Sequence, residues 1–275
     1  MIAPALACPV CRETLVQADK RLSCANGHSF DRARQGYWNL LLAQKKRSKA
    51  PGDNAEMVQA RQRFLEAGHY TPLADRIGSM LQEYLSPSAE TQLLDLGCGE
   101  GWYTDRLARR LGGCTTGLDI SKEAVKAACK RNGDVHWLVA TGADIPLADA
   151  SVDTATLIFS RLMPAPTAKV LKPGGLLLVV TPGPDHLLAL RQLIYTEVRT
   201  RSGFDPASQL AELFEPVQQE SLRFAFTLDS APAIQDLLAM TPHGQRLKPE
   251  ARERLAQCAR LDEQADFSLH LFRKR

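Results

Sequence analysis

Short apolar runs alternate with longer periodic segments along the chain from about residue 61 onward. The apolar runs predict strands over residues 91–96, 114–119, 136–140, 152–159 and 175–181. Segments in which apolar residues recur every three to four positions predict helices over 60–67, 72–84, 103–111, 122–131, part of 162–171, and 187–200. Such alternation is typical of a mostly parallel sheet that helices cover on both faces.

The C-terminal part of the chain follows a less regular pattern. It predicts a strand over 222–228, helices near 231–240 and 249–259, and a closing strand over 267–273. No internal repeat and no low-complexity tract is found along the sequence. The expected fold class is therefore α/β, with a Rossmann-like sheet.

Composition supports a globular chain with one core domain and one appended module. The chain has 275 residues, of which 44% are hydrophobic and 24% charged. The longest apolar run, residues 176–180, is far shorter than the roughly 20 residues of a membrane span. The N-terminus also lacks the basic and then apolar order of a secretory signal. We therefore expect no membrane partner and a cytoplasmic location.

Positive charge is concentrated at the N-terminus. The first 50 residues contain nine Lys/Arg and three Asp/Glu, whereas the remainder of the chain is slightly acidic. A basic arm attracts a polyanion, although a solubilising tail would have the same composition. Within this arm, we expect the basic run Lys45, Lys46, Arg47 and Lys49 to contact nucleic-acid phosphates.

Three of the seven cysteines form a metal-binding pattern with one histidine. Cys8 and Cys11 are two residues apart, and Cys24 and His28 follow at similar spacing. Two such knuckles supply a closed tetrahedral set of three sulfurs and one imidazole, which selects a structural zinc. The expected division of the chain is a zinc module over 1–35, a basic linker over 36–60, and a catalytic domain over 61–275.

A glycine-rich turn follows the first predicted strand of the α/β region. Gly97, Gly99 and Gly101 allow the backbone to bend sharply and approach a ligand closely. Asp95 ends the strand before them, and Asp119 ends the next strand, where a carboxylate can accept both hydroxyls of a ribose. The glycine spacing differs from G-x-G-x-x-G, which disfavours a nicotinamide oxidoreductase.

The full set of motifs resembles the class I S-adenosylmethionine (SAM)-dependent methyltransferases. It comprises D-L-G-C-G-E-G (95–101), Asp119, A-D-I-P-L (143–147) and L-K-P-G-G (171–175). The resemblance implies a sheet of seven strands with the last antiparallel. It also implies that the glycine loop, with Glu100, wraps the amino-acid part of SAM and that Asp119 binds the ribose. The adenine would meet the loop at 143–145, through backbone N–H groups or the Asp144 carboxylate.

Further segments resemble one family over almost the whole chain. These are the zinc motif, K-R-S-K-A-P-G-D (46–53), M-V-Q-A-R-Q-R-F-L-E-A-G-H-Y (57–70) and T-P-G-P-D-H-L (181–187). The family is that of the bacterial large-subunit rRNA guanine-N1 methyltransferases of the RlmA and TlrB type. The resemblance implies that the zinc module helps to recognise an rRNA hairpin and that Tyr70 and His186 lie near SAM. It leaves open whether the protein forms a homodimer.

The identity of a general base stays open at this point. Guanine N1 carries a proton at neutral pH, and His186, Asp185 and Asp53 are the candidates near the cofactor. Tyr37, Trp38, Phe159 and Arg161 are the residues considered for stacking on the flipped base.

Two segments depart from the family pattern. Residues 159–162 read F-S-R-L where aromatic-Ala-Pro is usual, and residues 243–246 read H-G-Q-R where aromatic residues are usual. Three alternatives therefore stand beside rRNA methylation: another RNA, a small-molecule substrate, or an RNA-binding homologue without catalysis.

Overall fold

One eight-stranded sheet forms the centre of the molecule, and a small three-stranded sheet stands beside it. The computed structural model describes residues 4–46, 48, 50–86, 88–198, 204–241, 243–244 and 247–275. The small antiparallel sheet consists of β1 (Val16–Ala18), β2 (Arg21–Ser23) and β3 (Ser29–Asp31). The strands of the large sheet, in chain order, are β4 (Trp38–Asn39), β5 (Gln92–Leu96), β6 (Cys114–Asp119), β7 (His136–Val139), β8 (Val152–Ile158), β9 (Leu171–Pro182), β10 (Phe214–Leu228) and β11 (Leu261–Lys274).

Helices pack on both faces of the large sheet, as the alternating pattern predicts. They are α1 (Ala55–Glu66), α2 (Thr71–Tyr84), α3 (Trp102–Leu111), α4 (Lys122–Arg131), α5 (Pro164–Val170), α6 (Leu188–Ile194), α7 (Ala207–Leu210), α8 (Ala231–Ala239) and α9 (Pro249–Ala256). A short 3-10 helix spans Ala43–Lys45. Among the described residues, no helix is long and apolar enough to cross a membrane.

The strand order in the large sheet is β10-β11-β9-β8-β5-β6-β7-β4. Strands β4 to β9 run parallel to one another. Strand β11 lies between β9 and β10 and is antiparallel to both. The seven strands from β5 to β11 have the expected class I arrangement, so the predicted fold is confirmed. In such sheets a ligand binds beyond the carboxyl ends of the parallel strands, where the order reverses next to β5.

An eighth strand comes from the segment expected to be a basic linker. Trp38 pairs with Leu138 of β7, and Leu40 donates its backbone N–H to the Val139 carbonyl at 2.9 Å. Trp38 and Leu40 are buried because they pack between β7 and the zinc module. Residues 36–41 are therefore part of the core, and the polar, basic character of 36–60 is confined to its later part.

The two C-terminal strands are longer than the sequence pattern predicts. Strand β10 begins at Phe214 rather than 222, because polar residues alternate along an edge strand with a bulge at Pro216. Strand β11 begins at Leu261 rather than 267, because two acids in its first half point inward. Glu263 accepts the backbone N–H groups of Ala189 and Leu190 at the start of α6.

Helix α6 ends earlier than the predicted span 187–200. Its last residue is Ile194, and residues 195–198 are not helical. The end of the predicted span, residues 199–200, lies outside the part of the chain that the structure describes.

Candidate active site and metal centre

The three cysteines and the histidine of the N-terminal module meet at one point. The ligand atoms of Cys8, Cys11, Cys24 and His28 all lie within 4.8 Å of one another. The Cys11 and Cys24 sulfurs are 3.6 Å apart, and the Cys24 sulfur lies 3.4 Å from His28 Nδ1. A zinc tetrahedron with ~2.3 Å Zn–S bonds has sulfur–sulfur edges of about 3.8 Å. The four side chains therefore fit one structural zinc ion.

The local chemistry of this cluster also suits zinc. A backbone hydrogen bond from Glu13 lowers the pKa of the Cys11 thiol to about 6, whereas burial raises the pKa of the Cys8 thiol. A bound dication favours the thiolate at both positions. Because four protein ligands complete the shell, the ion has no open position for substrate and its role is structural.

The glycine loop after β5 bends back over the end of the sheet. Gly97, Gly99 and Gly101 all have positive φ angles, of 77°, 56° and 81°. At Gly101 a Cβ atom would lie 2.6 Å from the ring of Trp137, so no other residue fits there without displacing the ring. The loop thus presents bare backbone to the crevice, as the sequence predicts for a cofactor cradle.

Asp119 closes the cradle from the end of β6. Its two carboxylate oxygens accept the backbone N–H groups of Gly99 at 2.9 Å and of Ser121 at 2.7 Å. Burial raises the pKa of this carboxyl group. The side chain is fixed between the glycine loop and the start of α4, which is the position expected of a ribose acceptor.

Asp95 lies deeper, at the end of β5. It accepts hydrogen bonds from the hydroxyls of Thr104 at 2.5 Å and Thr156 at 2.8 Å. Burial raises the pKa of Asp95 to about 6. The carboxylate links the end of β5 to α3 and β8 and adds negative charge where a cationic ligand would bind.

Tyr103 is a site residue that the motif analysis missed. Its hydroxyl is buried and has no hydrogen-bond partner among the residues that the structure describes, and its ring lies 6.4 Å from the ring of Phe159. A buried hydroxyl without a partner is costly, so it indicates a polar group that a ligand supplies. A cradle of bare backbone, two buried acids and this hydroxyl suits SAM, which carries a sulfonium, an ammonium and a carboxylate.

Arg61 was likewise not singled out by the motif analysis. Its guanidinium lies 2.5 Å from the Asp53 carboxylate, and Nη1 is 3.5 Å from the position that a Cβ atom on Gly99 would take. Asp53 is anchored beside Asp119, because its carbonyl accepts the Ser121 hydroxyl at 2.6 Å. Arg61 lies within the 57–70 segment of the family resemblance, but the sequence gives no role for its side chain.

Tyr70 and His186 come together from α2 and the loop after β9. The Tyr70 hydroxyl lies 3.3 Å from His186 Nε2, and His186 Nδ1 accepts the backbone N–H of Asp266 at 3.2 Å. Burial lowers the pKa of His186 to about 4 and raises that of Tyr70. Both side chains pack against the buried ring of Phe267, and Tyr70 itself is buried in the apolar core.

Two acids expected to touch the cofactor also have charged protein partners. The buried Glu100 forms a 2.8 Å ion pair with Arg131 at the end of α4. Asp144 forms ion pairs with Arg12 and Lys45 of the N-terminal module. Their carboxylates therefore hold the glycine loop and the loop after β7 in place.

The F-S-R-L segment forms one wall of the crevice. Phe159 is 43% exposed and has a φ angle of 54°, which is unusual for an aromatic residue. Ser160 lies so close to Gly97 that a Cβ atom there would collide with it. Such strain is typical of a functional position, and it turns the Phe159 ring toward solvent beside Tyr103.

The other departure from the family pattern lies near α6. His243 Nδ1 is 2.8 Å from the Tyr195 hydroxyl, and the two rings meet edge to face. Gln245 and Arg246 lie outside the described residues.

The basic run is only partly available to a ligand. Lys45 pairs with Asp144, whereas Lys46 is exposed. Arg47 and Lys49, the other two predicted RNA contacts, lie outside the described residues.

The sheet order, the glycine cradle and the two acids at the ends of β5 and β6 define a class I SAM-dependent methyltransferase that carries a zinc ribbon. Two family models agree with this assignment. The model of the RlmA N-terminal zinc ribbon matches residues 6–49, and a methyltransferase-domain model matches residues 93–175.

Curated proteins similar to this chain give the particular family. It is 36% identical to the 23S rRNA (guanine(748)-N(1))-methyltransferase of Streptomyces fradiae, over 89% of this chain and 87% of that one. It is 35% identical to YxjB of Bacillus subtilis (strain 168), provisionally described as a 23S rRNA (guanine-N(1)-)-methyltransferase, over 86% and 85% of the two chains. The chain belongs to the 23S rRNA guanine-N1-methyltransferase family.

Solved structures similar to this chain include the N-methyltransferase NodS from Bradyrhizobium japonicum. The TM-score is 0.43 at 19% identity, and the match covers 73% of this chain and 86% of that one.

Proposed function

We propose that the protein transfers the methyl group of SAM to N1 of a guanine in a 23S rRNA hairpin. The observation that carries this proposal is the pairing, in one chain, of an intact SAM cradle with a zinc ribbon, in a sequence related over 89% of its length to an enzyme of that name. The basic N-terminal arm supports an RNA substrate over a small molecule.

The residues of this chain chiefly bind and orient the two reactants, and they exclude water from the site. SAM supplies a methyl group on a sulfonium, which is a good leaving group. The glycine loop and Asp119 would hold the amino-acid and ribose parts, and the Tyr103 hydroxyl would donate a hydrogen bond to the carboxylate of the amino-acid part. Because the reaction is an in-line displacement, alignment of guanine N1 with the methyl carbon supplies most of the rate enhancement.

His186 does not act as the base that removes the N1 proton. Its Nδ1 accepts the Asp266 backbone N–H, so the neutral ring carries its proton on Nε2. Nε2–H therefore donates to the oxygen of the buried Tyr70, which holds the His186 ring in place.

Of the two remaining candidates for the general base, Asp53 is better placed than Asp185. Asp185 faces Arg223 at 3.3 Å on the outer side of β10 and β11. Asp53 lies beside Asp119 and the glycine loop, and it keeps one carboxylate oxygen that is not bound by Arg61 Nη1. We propose Asp53 as the acceptor of the N1 proton, with Arg61 holding it in position.

The target guanine leaves its stack before reaction, because N1 lies on its pairing edge. Phe159 is the side chain that best suits stacking on it, since its exposed ring faces the crevice. Trp38 and Tyr37 are buried in the core, so they are not available for that role.

An enzyme of 23S rRNA works where ribosomes are, so we propose a cytoplasmic location. A homodimer is proposed from the family resemblance alone, and sedimentation equilibrium of the purified protein tests it.

The proposal is tested by incubating the protein with labelled SAM and unmodified 23S rRNA, and by mapping reverse-transcription stops. A methyl group on N1 blocks the pairing edge, so we expect label and one sharp stop at a guanine. Label without a stop would place the methyl group on another atom. Bound SAM without label would favour another substrate or a non-catalytic RNA-binding role.

A further inference from the structure

The zinc ribbon is joined to the loop that follows β7, residues 143–149. Ala7 donates its backbone N–H to the Pro146 carbonyl at 3.0 Å, and Leu6 and Leu147 form an antiparallel bridge. The ribbon thus extends the cofactor domain's own loop by strand pairing. The family resemblance implies that residues 143–145 of this loop meet the adenine of SAM, so the inference below rests on the proposed function.

Arg12 reinforces this junction with its whole guanidinium group. Nη1 donates to the Ile145 carbonyl at 2.9 Å, and Nη2 donates to the Leu147 carbonyl at 2.8 Å. The same group pairs with Asp144 at 3.4 Å and with Asp149 at 3.7 Å. The planar fork of arginine suits two parallel carbonyls, and lysine cannot reproduce this geometry.

The metal knuckle determines where Arg12 points. Arg12 directly follows Cys11, and its backbone N–H donates to the Cys8 carbonyl at 2.9 Å. Its φ angle of 67° is unfavourable for a residue with a side chain. Such a conformation persists only where the surroundings fix it, and here the surroundings are the two zinc ligands of the first knuckle.

We propose that Arg12 couples zinc binding to SAM binding. With zinc bound, the knuckle holds Arg12 on the adenine loop and keeps that loop ordered. Without zinc, a ribbon of this size loses its fold, because its core is too small to be stable alone. The loop then loses its arginine contacts, and SAM has to order it on binding. Arg12 is a positioning residue, since it acts on the cofactor through the loop.

Linkage makes the coupling reciprocal. If zinc increases the affinity for SAM by some factor, SAM increases the affinity for zinc by the same factor. Couplings of this kind typically amount to about 5- to 150-fold. Because the Arg12 side chain makes two carbonyl contacts and two ion pairs to the loop, we expect its loss to change the Kd of SAM about tenfold.

The test compares Arg12→Gln and Arg12→Lys with the control Arg21→Gln. Arg21 is an exposed arginine of the same ribbon, and it pairs only with the exposed Asp31 among the ion pairs described. The Kd of SAM is measured by calorimetry for each full-length protein, with zinc bound and after chelation. Zinc content, measured by a colorimetric chelator, shows whether each variant keeps a folded ribbon.

We expect both Arg12 variants to bind SAM about tenfold more weakly while retaining one zinc per chain, and Arg21→Gln to bind like the wild type. Chelation weakens SAM binding by the wild type but adds little to Arg12→Gln. Saturating SAM protects zinc from a competing chelator in the wild type and less so in Arg12→Gln.

Two results would overturn the proposal. The first is equal SAM affinity in the wild type and Arg12→Gln. The second is an equal loss of affinity on chelation in both, which would show that the coupling bypasses Arg12. Failure of the zinc-loaded wild type to bind SAM at all would instead count against the proposed function.

Discussion

The carboxyl group of Asp95 lies at the bottom of the cofactor cradle, 2% exposed, where it accepts hydrogen bonds from two threonine hydroxyls. These hydrogen bonds lower its pKa, but burial has the larger effect and raises it to about 6. The folded protein therefore holds an acid in an environment that disfavours its charge until a cationic ligand arrives. This is a position at which stability and binding are opposed.

Asp95→Asn is expected to stabilise the ligand-free protein at neutral pH. Because the folded-state pKa of Asp95 is raised, its stabilising contribution is fully present below about pH 4 and is lost as pH rises through 6. The variant does not lose this part of the free energy of unfolding, which is on the order of 1–3 kcal/mol. Urea unfolding at pH 5.0 and 7.5 should show its advantage over the wild type growing with pH.

Asp31→Asn, an exposed carboxylate of the ribbon, is the control for this measurement. The same Asp95 variant should bind SAM at least tenfold more weakly. A wild type more stable than Asp95→Asn at pH 7.5 would contradict this account of the buried carboxyl group.

Tyr103→Phe tests the unpaired hydroxyl in the crevice. Removing a buried hydroxyl without a partner should leave the melting temperature of the ligand-free protein unchanged or slightly higher. Its loss should raise the Kd of SAM about 5- to 10-fold, because a hydrogen bond to a charged group is lost. Calorimetry compares it with Tyr84→Phe, on an exposed tyrosine at the end of α2. An unchanged Kd would remove Tyr103 from the cofactor site.

Secondary-structure elements were predicted best where apolar residues recur regularly along the sequence. The parallel strands β5 to β9 and the helices between them were predicted within a few residues, because buried strands read as continuous apolar runs. The glycine loop and the zinc knuckles were predicted from spacing alone, since each needs a particular residue at a particular turn.

Elements whose polar residues point inward were harder to predict. Strand β11 was predicted too short because Glu263 and Asp266 interrupt its apolar pattern, yet both are buried and satisfied by long-range partners. Strand β4 was assigned to a linker because a strand of two residues is too short to show an alternation of polar and apolar positions. Tyr103 and Arg61 were missed because neither the unpaired hydroxyl of Tyr103 nor the ion pair of Arg61 with Asp53 leaves a mark in the sequence pattern.

Glu263→Gln tests the contact between β11 and α6. Its carboxylate accepts two backbone N–H groups at the helix start, where negative charge is favourable. Its neutralisation should lower the free energy of unfolding by about 1–2 kcal/mol and speed amide exchange in α6. Glu215→Gln, on an exposed position of β10, should have almost no effect. Equal stability of the two variants would argue against a capping role.

The whole molecule combines a basic arm with a slightly acidic body, and this asymmetry makes RNA binding dependent on salt. Each phosphate contact contributes about 0.7–0.9 to the slope of log K against log salt. Replacing Lys46, Arg47 and Lys49 by alanine should therefore reduce the slope by about 2–3 units. Lys45 is left unchanged because it pairs with Asp144.

Filter binding of an rRNA hairpin between 50 and 300 mM salt measures this slope. Arg260→Ala, an exposed arginine far along the chain, is the matched control. An unchanged slope in the triple variant would place the phosphate contacts elsewhere on the molecule.

The proposed reaction transfers one methyl group from SAM to guanine N1 of 23S rRNA. It is measured by mass spectrometry of nucleosides, digested from unmodified 23S rRNA after incubation with SAM and the protein. We expect one 1-methylguanosine per 23S rRNA, and none when Asp119→Ala replaces the wild type. A methylated nucleoside other than 1-methylguanosine, or no new methylated nucleoside although SAM binds, would contradict it.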